Sequence, residues 1–166
     1  KNAFDKDAPP QQMAWAQFVD ALRREHRACA GRKIDRPCFV PARREGPLRK
    51  ANVQDVWAAV WDLDSAEPGD LERVLGALGE GVSYVAYNTW SHGEKPGECW
   101  RLIVPLQEPV SAALWDTFWG SLDRITGQLN DTACKDPSRC YFVPGAPDTT
   151  QHEFRASTQG KPLEVH

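Results

Sequence analysis

Two aspartates two residues apart, Asp62 and Asp64, close the apolar run Val56-Trp57-Ala58-Ala59-Val60-Trp61. Side chains two apart on a strand point the same way, so both carboxylates share one side. Two anions that close raise each other's proton affinity unless a cation lies between them. Mg²⁺ or Mn²⁺ suits such a pair, because a hard ion takes a few carboxylates and fills its shell with water and substrate phosphate. An Asp-x-Asp after a strand is also an ordinary polar turn before a helix, so the pair gains meaning only with company.

Company comes from two further places. Ser91-His92 ends a second β-rich run (Val82 to Trp90), with Lys95 close behind and Arg101 near the start of a third run, Trp100 to Leu106. Cationic donors beside a two-acid metal site suit a nucleoside triphosphate, whose phosphates the metal, Arg, Lys and His would divide. Arg101 has a simpler alternative, a structural pair with Glu98 or Asp64. Before a fourth run (Arg139 to Val143), the stretch Asp131 to Arg139 offers a third carboxylate, from Asp131 or Asp136, and Arg139 as a phosphate or template contact. Asp136-Pro137-Ser138 is equally a turn signal.

These residues need a scaffold that brings strand ends together. Met13, Trp15, Phe18, Ala21, Leu22 and Ala28 recur at helical spacing, predicting a helix over 11–29 with Gly31 as its stop. Cys38-Phe39-Val40 is a short apolar stretch, and 42–52 reads as a basic loop. Pro68 opens a helix over 68–79 with Leu71, Val74, Leu75 and Leu78 on one side. Pro109 and Ser111 introduce another through about Gly127, with Leu114, Phe118, Leu122 and Ile125 as its expected core stripe. Glu153 to Ala156 adds a candidate edge strand. The order β-α-β-β-α-β predicts an α+β fold with a ferredoxin-like, RRM-like core. Its first and third strands would be central neighbours, the second and fourth its edges, with both helices on one face and the other face open. Residues 1–52 then form an N-terminal helix and basic loop packed on the core, 53–158 the core, and 159–166 a tail.

In this order the three pieces resemble the signatures of the archaeo-eukaryotic primase superfamily, especially primase–polymerase domains of phages, plasmids and mobile elements. The matching residues are Trp61-Asp62-Leu63-Asp64, then Tyr87-Asn88-Thr89-Trp90-Ser91-His92 with Arg101-Leu102-Ile103-Val104-Pro105-Leu106, and finally Asp131 through Arg139 with Cys140-Tyr141-Phe142-Val143-Pro144-Gly145. The resemblance covers roughly 53–147. It implies a template-directed nucleotidyltransferase, a primase or DNA polymerase, working with two Mg²⁺ or Mn²⁺ ions. Asp62 and Asp64 would bind metal, with Asp131 favoured over Asp136 as the third acid. His92 would contact the triphosphate of the incoming nucleotide, helped by Ser91, Lys95, Arg101 and Arg139. The implied partners are a single-stranded DNA template, NTP or dNTP, and a helicase domain in the same chain. One departure is plain: a Gly- and Pro-bearing loop separates His92 from Arg101 where shorter relatives make a tight turn.

The chain has 166 residues, 41% hydrophobic and 26% charged, which suffices for one domain with a sizeable core. No apolar window is long enough to cross a membrane. The polar start Lys1-Asn2-Ala3-Phe4-Asp5 has neither a signal-peptide pattern nor a Met, so a piece of a longer cytoplasmic protein is expected. A net charge of −3 argues at first against nucleic acid, but it averages unlike parts. Residues 21–50 hold ten Lys/Arg against three acids, and Arg43, Arg44, Arg49 and Lys50 are the candidate nucleic-acid contacts there. A solvated helix face with a flexible loop explains the same block. Five cysteines (Cys29, Cys38, Cys99, Cys134, Cys140) at spacings unlike a zinc site predict free thiols in a reducing compartment.

Two other functions compete. A non-catalytic nucleic-acid module would expose Trp57, Trp61, Tyr84, Tyr87, Trp90 and Trp100 on the open sheet face for stacking. A rolling-circle nicking endonuclease needs a His-apolar-His pair, and His26, His92, His152 and His166 are never two apart.

Overall fold

The computed structural model describes residues 11–27, 32–145 and 152–165. Ala28, Cys29 and Gly31, which figure in the expected first helix, and the polar leader lie outside them. Two long strands form the spine: β3 (Val53–Ala66) and β5 (Glu98–Ser111), 14 residues each and antiparallel. Their continuous apolar runs are what a strand covered on both faces requires. Trp61, Leu63, Trp100, Leu102 and Ile103 are fully buried.

Around this spine stand β4 (Tyr84–Asn88), β7 (Phe154–Ser157) and β2 (Ala42–Arg44), giving the order β2-β3-β5-β4-β7, antiparallel throughout. β1 (Cys38–Phe39) and β6 (Tyr141–Phe142) pair separately as a two-stranded sheet. The expected central pair and the last edge strand are thus present, but two ferredoxin-like details are corrected. The fourth run does not flank the first; its place on β3 is divided between β2 and a turn at Asn130–Asp131. The stretch read as a basic loop contains strand β2, whose arginines mark it as an edge, where charge discourages further pairing.

Helices α2 (Asp70–Leu78) and α3 (Ala112–Ile125) cover one face, as Trp61 Nε1 donating to Thr126 Oγ1 at 3.1 Å and Arg155 on β7 pairing with Glu72 show. The buried stripe of α3 is Trp115, Trp119 and Leu122, whereas Leu114 and Ile125 of the expected stripe are exposed. The two indoles, one helical turn apart, carry more apolar area than the leucine and isoleucine beside them and so decide the helix's rotation.

The other face is not open. Helix α1 (Trp15–Arg27) buries Val19 and Leu22 and sets Arg23 over the Phe154 ring. The β1–β6 pair closes down beside it, with Tyr87 Oη donating to the Phe142 carbonyl at 2.8 Å. Of the six candidate stacking rings, Trp61, Tyr87 and Trp100 are buried and only Trp57 is well exposed. That cover removes the platform a stacking module needs.

A disulfide joins Cys38 to Cys140, correcting the expectation of free thiols for those two; Cys99 and Cys134 are free and buried as expected. The register explains the pairing: Cys38 lies opposite Phe142, two residues beyond Cys140. A sequence separation of 102 hides this from any local reading. No described helix is long and apolar enough to cross a membrane.

Closing a loop of that size constrains the unfolded chain, typically by about 2–4 kcal/mol. Reduction, or the Cys38→Ser/Cys140→Ser pair, is therefore expected to lower the calorimetric melting temperature by several degrees. An unchanged melting temperature would show that the β1–β6 sheet stands without the bond.

Candidate active site

Asp62 lies well inside β3, not at its end, and its cross-strand partner on β5 is Arg101. Tyr87 on β4 is opposite Arg101, and Phe154 on β7 is opposite Tyr87. One row thus crosses four strands on the face that α1 and β6 cover. Arg101 grips Asp62 with both prongs, Nε to Oδ1 at 2.7 Å and Nη2 to Oδ2 at 3.0 Å, and gives Nη1 to the Phe142 carbonyl at 2.8 Å. Its guanidinium lies over the Tyr141 ring. Burial opposes this charge, but Tyr87 and Asp62 outweigh it and hold Arg101 above the ordinary arginine range. Burial also pushes the Tyr87 phenol up to about 12.

The third acid arrives by side-chain mimicry of a strand. Asn130 accepts from the Asp62 N–H at 2.9 Å and donates to the Val60 carbonyl at 3.0 Å, while the Asp131 N–H donates to the Asp62 carbonyl at 3.0 Å. An amide side chain thus satisfies the edge of β3 that β2 leaves unpaired. Asp131 Oδ1 caps the 3₁₀ turn Thr132–Lys135, and Trp115 Nε1 anchors that turn to α3 through the Lys135 carbonyl. Arg139 then bridges two acids, 3.1 Å from Asp62 Oδ2 and 3.1 Å from Asp131 Oδ2. The Asp136 carboxylate stays in its own turn, with Oδ1 accepting from the Ser138 N–H and hydroxyl, and it is the Asp136 carbonyl that meets this group, accepting the Arg139 N–H at 3.0 Å.

Asp64 is more open and pairs with Lys95 at 3.0 Å. The loop that carries Lys95 reaches β3 because Gly97, at φ +77, sits where a Cβ would come within 2.8 Å of the Ser65–Ala66 backbone. Ser91, Lys95, Arg101 and Arg139 share one polar cleft of about 130 Å³ with Asp62 and Asp64. His92 does not line it; its Nδ1 accepts the Cys99 N–H at 3.2 Å, leaving Nε2 to carry the proton of a neutral ring. The basic edge lies elsewhere. Arg43 pairs with Asp55, Lys50 with Asp116, Arg44 with the Gly46 carbonyl, and Arg49 is exposed. Asp55 is seven residues up β3 from Asp62, roughly 23 Å along a strand.

The cleft also holds Lys33 and Arg36, which no motif marked, and Tyr87, Phe142, Val143 and Gly145, which the matching stretches contain without a role at the metal or nucleotide. Arg36 donates through Nη2 to the Glu25 carboxylate and carbonyl and to the Pro144 carbonyl, clamping α1 to the segment after β6. The signal for Lys33 and Arg36 was the basic block of 21–50, which gives no address within the fold.

For a divalent ion, the donor chemistry fits at Asp62 and Asp64: hard oxygens on one side of a strand, one of them half exposed. The fit is to a two-carboxylate site completed by phosphate and water, since no group of three or more ligating side chains gathers among the described residues.

No family model matches the chain, and no curated protein does. Among solved structures it is similar to the AEP domain of the cyanophage S-2L primase–polymerase (PrimPol), with a TM-score of 0.56 and 16% sequence identity. The alignment covers 91% of this chain and 74% of that one. The likeness is one of fold: this is an α+β domain with the architecture of an AEP primase–polymerase domain.

The two acids differ in what else they do. Asp62 and Arg101 are 7% and 11% exposed, Asp64 and Lys95 about half exposed. Removing one partner of a buried pair costs about 3–5 kcal/mol, whereas an exposed pair is worth about 0–1 kcal/mol. Chemical denaturation should therefore find Asp62→Ala severely destabilised and Asp64→Ala close to wild type; equal losses would contradict this division.

Burial pushes the Cys134 thiol up to about 12. Its ordinary value is about 8.5, so the native fold favours the protonated thiol and loses that stability as pH rises past the unfolded value. Peptide mapping after iodoacetamide treatment at pH 8.5 should find Cys134 unmodified in the native protein and alkylated after unfolding. Rapid native labelling would contradict its burial.

Proposed function

We propose that this chain is the catalytic core of a template-directed nucleotidyltransferase, a primase or DNA polymerase that copies single-stranded DNA of a phage, plasmid or mobile element in the cytoplasm. The observation that carries this reading is the convergence of Asp62 and Asp64 with Ser91, Lys95, Arg101 and Arg139 in one cleft on an AEP-like fold. Asp62 and Asp64 would hold Mg²⁺ or Mn²⁺, which when bound activates an attacking 3′-hydroxyl and neutralises the leaving pyrophosphate. Asp131 serves through Arg139, and Asp136 has no part.

The chain's own contribution is positioning and charge. Phosphoryl transfer asks little covalent chemistry of a protein and much electrostatic preorganisation. Five cations (Lys33, Arg36, Lys95, Arg101, Arg139) face two carboxylates in the cleft lining, a surplus that suits the polyanionic tail of an NTP or dNTP. Arg101 and Arg139 grip Asp62 until phosphate offers them oxygens, so the cations that order the acid are also the ones that receive the nucleotide. His92 follows Ser91 of the cleft lining and is held through Nδ1 by the Cys99 N–H, and as a triphosphate contact it would act through Nε2.

The test is primer synthesis and extension on single-stranded template with Mg²⁺ or Mn²⁺. Asp64→Ala, which leaves the buried pair intact, should lower activity by about 10²–10³-fold, the range such electrostatic groups supply, with an unchanged melting curve. Activity within a few-fold of wild type would overturn the assignment.

A further inference from the structure

Of the five cations lining the cleft, four are committed: Lys95 to Asp64, Arg101 to Asp62, Arg139 to Asp62 and Asp131, and Arg36 to Glu25. Lys33 alone makes no ion pair among the described residues. It stands on the 3₁₀ turn Lys33–Asp35, with Nζ 5.9 Å from the centroid of the Phe142 ring. The Phe142 carbonyl is the group that receives Arg101. This ammonium, without a carboxylate partner among the described residues, stands on the wall of the cleft supplied by the N-terminal segment.

The segment that carries Lys33 is held firmly. Arg36 is 7% exposed and ties Glu25 to Pro144. Gly145 packs against its guanidinium so closely that a Cβ there would lie 2.8 Å from Nε. Two residues after Arg36, Cys38 is bonded to Cys140, the neighbour of Arg139. These ties anchor the base of the lysine, so its flexible four-carbon stem keeps the charge within reach of the cleft. A lysine ammonium is a compact point charge that suits a phosphate oxygen.

The geometry points to Lys33 as a phosphate-binding residue of the cleft, supplied by the N-terminal segment and facing a phosphate group of the nucleotide tail or of the nucleic-acid strand. The inference deepens the nucleotidyltransferase reading and rests on it for the identity of the ligand, but binding tests it without turnover. The probes are inorganic triphosphate and a 5′-hydroxyl oligothymidylate, each titrated in EDTA at two salt concentrations. Lys33→Ala should weaken binding of one probe by about tenfold, the worth of one charge-assisted hydrogen bond, and flatten its salt dependence. Lys33→Arg should recover most of the loss, and Lys161→Ala, which removes an equal charge outside the cleft, should change nothing. Loss confined to triphosphate assigns the nucleotide tail, and loss confined to the oligonucleotide assigns the strand. The inference is overturned if Lys33→Ala binds both probes like wild type, or if wild type binds neither. Failure of the wild-type protein to synthesise or extend primers, alongside a triphosphate-binding loss in Lys33→Ala, would sink the polymerase reading while leaving the phosphate contact in place.

Discussion

A guanidinium in the interior of a sheet is tolerated only when its charge and donors are answered, and Arg101 sets that demand at the centre of this fold. Asp62 answers with two oxygens, Phe142 with a carbonyl, and Tyr141 with the face of its ring. Each answer fixes a different part of the chain. β3 must be in register with β5, β6 must return over the sheet, and β1 must pair with β6 to keep it there. Arg139 and Asp131 extend the same network to the turn behind α3. The cleft is the opening left where these pieces meet.

This arrangement makes one carboxylate serve two masters. As the counterion of Arg101, Asp62 belongs to the stability of the sheet; on the nucleotidyltransferase reading it also belongs to a metal. The two roles reconcile if ligand phosphate and metal arrive as complements, one engaging the arginines and the other the acid. Asp64, exposed and lightly paired, carries no such double duty, and for that reason it reports on chemistry more cleanly than its neighbour does.

The parts of this site that follow from strand periodicity were legible in the sequence. Alternation along β3 put Asp62 and Asp64 on one side, and the βαββαβ order brought Lys95 and Arg101 to them. Asp131 and Arg139 were legible as a cluster but not as partners of Asp62, because Asn130 attaches them by side-chain hydrogen bonds that no pattern announces. Lys33, Arg36 and the Cys38–Cys140 bond depend on pairing between segments a hundred residues apart, which leaves no local trace. The rotation of α3 was misjudged for a different reason. Trp115, Trp119 and Leu122 have helical spacing as good as Leu114, Phe118, Leu122 and Ile125, and only the area of the indoles separates the two faces. β2 was missed because a three-residue edge strand rich in arginine looks like a loop.

The disulfide also decides how the molecule answers force. Everything from β1 to the start of β6, including both spine strands, lies inside a covalent ring closed by Cys38 and Cys140, while α1 and β7 lie outside it. Tension applied at the two ends, as when a polypeptide is threaded through a narrow motor, is passed across the sulfur–sulfur bond and not along the spine. Such a pull can peel away α1 and strip β7 from β4, yet it cannot extend the central sheet or drag Asp62 from Arg101 until the bond is reduced.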